Sequence, residues 1–166
     1  MKHPRRSGPL SPKVEITREL IRKLPKTDLH CHLDGSLRME TVLELMKGNR
    51  GERGYYPPAE AKRLLAPGKK HASLVDYLKG FEITLSVMQT REALMRIAYE
   101  LAQDCAEENV RYVEVRYSPM LHVRRGLKLP EVVESVIAGL KKAERDFGVR
   151  SGIIICGLRN ITPRWS

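Results

Sequence analysis

No stretch of this sequence comes near the ~20 consecutive apolar residues that a membrane-spanning helix requires. The start, Met1-Lys2-His3-Pro4-Arg5-Arg6-Ser7-Gly8, has none of the apolar character of a secretory signal. The expectation is a cytoplasmic protein with no membrane partner. Cysteine is scarce: Cys31, Cys105 and Cys156 form no C-x-x-C pair. All three lie in apolar-patterned segments, which reads as reduced core residues and excludes a disulfide framework. Aromatic residues make up only 5% of the chain, and none is interleaved with a basic stripe, so a single-strand nucleic-acid surface is not expected. Acidic side chains are outnumbered, 20 against 30 Lys and Arg, for a net charge of +10. That excess is scattered and reads as a solvated basic surface, with no specific nucleic-acid partner.

What the sequence does contain is a regular alternation of element types. Residues 1–13 are Pro-, Gly- and Lys/Arg-rich and are expected to be a disordered basic tail. Residues 14–166 form the folded part. A short helix is expected from Glu15 to Lys23, stopping before Pro25, then a strand from Thr27 to Leu33. Ser36 is the expected cap of a helix carrying Met39, Val42, Leu43 and Met46, which stops at Gly48. A break over Gly51–Pro58 and a brief helix over Ala59–Leu65 lead to two longer helices, Ser73–Val87 and Thr90–Glu108. The second of these shows Leu94, Ile97, Leu101, Ala102 and Cys105 on one face. Val110–Tyr117 reads as a strand, and Pro130 opens a helix with Val133, Val136, Ile137, Leu140 and Phe147 inward and Gly148 at its end. Ser151–Leu158 reads as a strand buried on both faces. Strands separated by helices imply parallel βα units. The fold class is therefore α/β: about three parallel strands with covering helices, an incomplete TIM barrel, since closure takes eight strands and typically ~250 residues.

The densest chemistry lies in Asp28-Leu29-His30-Cys31-His32-Leu33-Asp34-Gly35. In a strand, residues two apart share a face. Asp28, His30, His32 and Asp34 are thus expected together, with Leu29, Cys31 and Leu33 opposite. Two imidazoles side by side on a rigid strand suit a divalent metal, and neutral imidazole is a common zinc ligand. Leu74, Tyr77, Leu78 and Phe81 recur at helical spacing as an apolar stripe, read equally well as core packing or as a wall of a site. Arg116, Ser118 and Leu121 close the second strand near the same mouth. His71 and His122 fall in polar, loop-like stretches and read as surface residues.

The run from Leu24 to Leu45 resembles the opening of the adenosine deaminase family of zinc hydrolases. Three further blocks resemble that family in the same order: Ser73–Leu78 with Phe81, Arg96–Glu100 running into Tyr112–Pro119, and Ile155–Arg159. The resemblance implies that His30 and His32 are zinc ligands. It implies also that His32 and Asp34 touch the substrate, with Asp34 accepting a hydrogen bond from the ribose 5′-hydroxyl, and that Leu74, Tyr77, Leu78 and Phe81 gate a purine. The implied activity is hydrolytic deamination of adenosine to inosine and ammonia. Zinc lowers the pKa of water from about 15.7 toward about 7 for such a reaction. The family's general acid is a glutamate in a His-Ala-Gly-Glu motif, and that motif is absent from this sequence, as are the later histidines and the Asp-Asp pair. No catalytic residue is therefore assigned within the chain. It is expected to be the N-terminal portion of such an enzyme, inactive alone, with a C-terminal half needed to close the barrel.

Three alternatives stand beside this. One is an adenine or other purine deaminase of the same family. Another is a metallo-β-lactamase-type hydrolase, whose H-x-H-x-D-H motif matches His30, His32 and Asp34 but has histidine where this chain has Gly35. The last is a non-enzymatic interaction fragment acting through open strand edges. A βα unit after Leu33 separates the first reading from the metallo-β-lactamase layout.

Overall fold

The computed structural model describes residues 15–49, 55–66 and 74–158, with side chains in the fourth helix from Leu78 onward. The expected tail at 1–13, His71, Arg159 and the side chains of Leu74 and Tyr77 lie outside the described residues. The described elements run α1 (Arg18–Lys23), β1 (Lys26–His32), α2 (Met39–Met46), α3 (Pro58–Leu65), α4 (Leu74–Val87), α5 (Arg91–Glu107), β2 (Val110–Tyr117), α6 (Leu129–Phe147) and β3 (Arg150–Ile155). The strands form one parallel sheet in the order β1-β2-β3. A strand, covering helices and a second parallel strand follow one another from Lys26 onward, which is the βα arrangement and excludes the metallo-β-lactamase layout. No helix among the described residues is long and apolar enough to cross a membrane.

Local chemistry sets the element ends. Thr17 accepts from the Leu20 N–H at 3.1 Å and Thr90 from the Ala93 N–H at 3.2 Å, two side-chain N-caps. At the start of α6 the Glu131 carboxylate reaches back to the Lys128 N–H at 2.7 Å, and Pro130 stands in the first turn, where no N–H is needed. Gly148 ends α6 with φ +74°, a left-handed conformation that costs a glycine little, and its N–H donates to the Glu144 carbonyl. Asn109 takes φ +60° between α5 and β2. Its side chain donates to the Lys23 carbonyl at 2.6 Å and its own carbonyl accepts from the Lys26 N–H at 3.0 Å, so one turn residue ties α1 and the start of β1 to β2. Ser36 does not cap α2. Its hydroxyl donates to the His32 carbonyl at 2.6 Å, because a single tight turn at Leu33–Gly35 brings it back against the strand, and Arg38 stands at the helix N-cap.

The core lies between β2 and the α5–α6 pair. Val113, Val115 and Tyr117 point into it and are buried, meeting Leu94, Ile97 and Leu101 of α5 and Val132, Val136 and Leu140 of α6. Each fully buried aliphatic side chain contributes roughly 1.5–3 kcal/mol. The inward face of α6 is rotated from the sequence reading: Val132, Ser135, Val136, Gly139, Leu140 and Ala143 are buried, whereas Val133, Ile137 and Phe147 are only half-buried. Small residues explain the rotation. A Cβ on Gly139 would stand 2.2 Å from the Met95 carbonyl oxygen and 3.0 Å from the Ala98 Cβ, so α5 and α6 touch through a glycine. The α2 helix is moored to α5 by Arg38 on Asp104 at 3.0 Å and by Arg96 on Glu44 at 3.0 Å, with Arg96 steadied along α5 by Glu100 at 2.7 Å.

Several expectations are corrected. The third strand ends at Ile155, three residues early, and is not buried on both faces: Ile155 is 53% exposed and Ile154 is exposed beside it. It pairs on one side only, so its outer edge and flanking face lack cover among the described residues. Leu29 is 57% exposed for the same reason at the other edge. The cysteines are half-buried rather than fully buried.

His122 is not a surface residue. It is fully buried, its Nδ1 donates to the Met88 carbonyl at 3.0 Å, and its ring lies 5.9 Å from that of Tyr117. Burial, with a smaller push from Arg124, drives its pKa from 6.5 down to about 4.

Replacing Gly139 with Ala is expected to force the α5–α6 contact apart and to cost about 1–3 kcal/mol in urea titrations; an unchanged midpoint would disprove the close contact. For His122 the folded pKa lies below the unfolded one. Its neutral form therefore supports the fold fully above pH 6.5, and that support is lost as pH falls toward 4. Between pH 6.5 and 4.5 the wild type is expected to lose roughly 2–3 kcal/mol more stability than His122→Asn, which cannot take up the proton.

Candidate functional site

The site begins with the register of β1 on β2. Lys26 pairs with Val110, Thr27 with Tyr112 and Asp28 with Val113, but Cys31 pairs with Val115 and His32 with Arg116. Three steps on β1 therefore match two on β2, and the strand carries an irregularity at Leu29–His30. The slip breaks strict alternation. His30 and His32 remain together, with ring centroids 5.2 Å apart, on the face shared with Arg116. Asp28 falls instead opposite Val113, a core-facing residue; burial raises the pKa of Cys31 and of Cys105 on α5, and the Asp28 charge adds a smaller push to both. Asp28 thus leaves the histidine face, against the expectation from spacing, and its carboxylate accepts from the His30 N–H at 3.0 Å, where it braces the irregular backbone.

Both imidazoles are exposed at the open face of the sheet. Arg116 lies across His30, its Nη1 3.1 Å from Nδ1 and 2.8 Å from Nε2, and its Nη2 donates to Cys156 Sγ at 3.4 Å. His32 Nδ1 is 3.6 Å from Asp34 Oδ1. Two exposed imidazoles on one face are a suitable donor set for zinc, which prefers nitrogen and sulfur ligands. Catalytic zinc sites usually have three protein ligands, and among the described residues no three His, Cys, Asp or Glu side chains converge as a metal site. His30 and His32 therefore fit part of such a site.

Asp34 sits in the tight turn after β1, where the chain leaves the sheet for α2. Burial pushes its carboxyl above the ordinary carboxylate range, and His32 pulls it partly back. Its Oδ1 is buried with no hydrogen-bond partner within 3.5 Å among the described residues, the His32 Nδ1 lying just beyond at 3.6 Å. Asp34 itself lines a cavity of about 150 Å³ together with Gly35, Leu64, Leu65, Phe81 and Thr84. That volume lies below the roughly 300–1,000 Å³ of ordinary ligand pockets. Phe81 and Asp34 line the same cavity, whereas Leu78 is 53% exposed and does not line it. Leu64, Leu65 and Thr84 were not legible as site residues. The apolar end of α3 followed by Ala66 was the available signal, but periodicity alone does not show which helix folds back over the strand's end.

Of the residues closing β2, Arg116 reaches the histidine face. Ser118 is buried, and Leu121 offers its carbonyl to Gln89 at 2.9 Å rather than its side chain to the cavity.

Residues 25–166 match the adenosine deaminase family. An adenosine deaminase of Clostridium botulinum is 44% identical over 140 residues, which span 84% of this chain and 42% of that protein. Among solved structures, an amidohydrolase from Burkholderia ambifaria with bound zinc superposes with a TM-score of 0.67 at 28% identity, over 87% of this chain and 39% of its own. An Arabidopsis N6-mAMP deaminase gives 0.67 at 32% identity, over 82% and 42%. The chain thus spans about two fifths of the length of these relatives. Its three parallel strands and their helices are part of the deaminase barrel, and a match that begins at Pro25 and takes in every later strand and helix makes the chain a member of the adenosine deaminase family.

Proposed function

We propose that this chain supplies the first metal ligands and the hydroxyl-recognising carboxylate of a zinc-dependent adenosine deaminase. The observation that carries the reading is the juxtaposition at the end of β1: an imidazole pair on one face, and two residues later a carboxylate that lines a largely apolar cavity and pairs with the nearer imidazole at 3.6 Å. Zinc bound by His30 and His32 would make hydroxide available near neutral pH. Asp34, an acceptor-only group when ionised, would take the hydrogen bond of a ribose hydroxyl and so favour a nucleoside over a free base. Phe81, Leu64 and Leu65 would cover the purine and keep bulk water from it. His32, close to Asp34, would meet both the metal and the substrate side of the site. The scattered basic surface is given no part in recognition, and the chemistry is that of a purine nucleoside enzyme.

The 166-residue chain alone is expected to bind zinc weakly and to release no ammonia from adenosine. The proton donor of such a reaction is worth about 10²- to 10⁴-fold in rate, and no residue of this chain is assigned that role. Ammonia release above a His30→Ala, His32→Ala control would show that catalytic residues have been misplaced.

Joining residues 1 to about 160 to the complementary strands of a close adenosine deaminase is expected to give a soluble, zinc-dependent enzyme that prefers adenosine to adenine. Asp34→Ala should erode that preference by leaving the hydroxyl without its acceptor. A zinc-loaded chimera that deaminates neither compound would contradict the assignment, and one that favours adenine would overturn the role given to Asp34.

A further inference from the structure

The helix that carries Phe81 and Thr84 ends at Val87, and the residues after it are held by buried polar contacts. Met88 and His122 are fully buried, and the imidazole Nδ1 donates to the Met88 carbonyl at 3.0 Å. Gln89, 3% exposed, uses both ends of its amide. Its Nε2 donates to the Leu85 carbonyl in the last turn of α4 at 2.7 Å and to the Leu121 carbonyl at 2.9 Å. Its Oε1 accepts from the Arg124 N–H at 2.9 Å. One side chain thereby joins the end of α4 to the segment that follows β2, and the imidazole adds a second tie between the same two segments.

Apolar side chains would bury at less cost in this position. Hydrogen bonds instead fix the relative placement of the groups they join, because each tolerates only small changes in distance and angle. Here the Gln89 amide is used at both ends while His122 contributes through Nδ1, its Nε2 being buried without a hydrogen-bond partner among the described residues. The two segments joined are the two walls of the candidate site. On one side, Thr84 and Phe81 lie five and eight residues before Gln89 and line the cavity beside Asp34. On the other, Arg116 lies six residues before His122 and rests on His30.

We propose that Gln89 and His122 are positioning residues that set the placement of α4 over Asp34 relative to the end of β2. The functional meaning of that placement rests on the cavity being the nucleoside site, whereas the clamp itself does not.

Amide hydrogen exchange on the full 166-residue chain tests this. Gln89→Met keeps the volume and removes the hydrogen bonds. It is expected to speed exchange of the α4 amides of residues 80–87 by about tenfold, while the α5 amides of residues 94–105 change by less than about twofold. His122→Leu should act in the same direction, and His122→Asn, which retains a donor near the Nδ1 position, should restore protection to within about twofold of wild type. If Gln89→Met does not fold, the Leu and Asn variants at 122 carry the same contrast. Loss of protection spread equally over α4 and α5, unchanged α4 exchange, or no rescue by Asn would overturn the proposal. A parallel titration of the zinc-loaded chimera with purine riboside separates the two readings: the local exchange contrast in the chain without nucleoside binding by the chimera would support the clamp and contradict the nucleoside site.

Discussion

The placement of the histidine pair depends on the burial of one face of β2. Val113, Val115 and Tyr117 are locked against α5 and α6, and this seating fixes the strand in position and in rotation. The opposite side chains, Tyr112, Glu114 and Arg116, have no freedom to choose a face. Because β1 contributes little buried surface of its own, it is held by its hydrogen bonds to β2, by Asn109 and Lys26 at its start, and by the turn at Leu33, which is fully buried. The exposed Leu29 and the buried Leu33 mark the two ends of that arrangement. The histidines thus owe their orientation to a strand that they do not belong to.

Around this anchor the sheet presents two unlike faces. One is apolar and covered by α5 and α6. The other carries two imidazoles, an arginine, and Glu114 accepting from the Tyr112 hydroxyl at 3.1 Å, with Gly152 of β3 leaving room for that hydroxyl: a Cβ there would stand 2.7 Å from it. A polar inner face on a parallel sheet is expensive unless its groups are paired or used. Here the pairing is partial, since Arg116 Nε and Asp34 Oδ1 are both buried without hydrogen-bond partners among the described residues. Those unsatisfied atoms stand at the same end of the sheet as the cavity, the end at which barrel enzymes place their chemistry.

Much of this was legible in the sequence, for identifiable reasons. The β2 strand was read residue for residue because Val110–Tyr117 alternates cleanly and is closed by Ser118-Pro119, and α5 because Thr90 caps a strong apolar stripe. The shared face of His30 and His32 was legible from H-x-H, but Asp28 was placed on it wrongly, because a register slip is a property of strand pairing and leaves no mark in one strand's own sequence. His122 was misread because its polar neighbours, Arg124 and Arg125, suggest a surface loop. Only the fold shows that the turn at Pro119–His122 drives the imidazole inward to Met88. The extent of β3 was overestimated because apolar residues signal a buried strand whether or not a neighbour is there to cover it. The cavity walls from α3 were missed because nothing in Leu64-Leu65 specifies which distant turn they will meet.

The central claim is that His30 and His32 bind one metal ion together from one face of β1. X-ray absorption at the zinc edge, on the chain loaded with one equivalent of zinc, tests it most directly. The account predicts two imidazole nitrogens at about 2.0–2.1 Å, with outer-shell ring scattering, and oxygen in the remaining positions. Sulfur at about 2.3 Å, placing Cys31 or Cys156 on the metal, or a spectrum with no imidazole contribution, would contradict it.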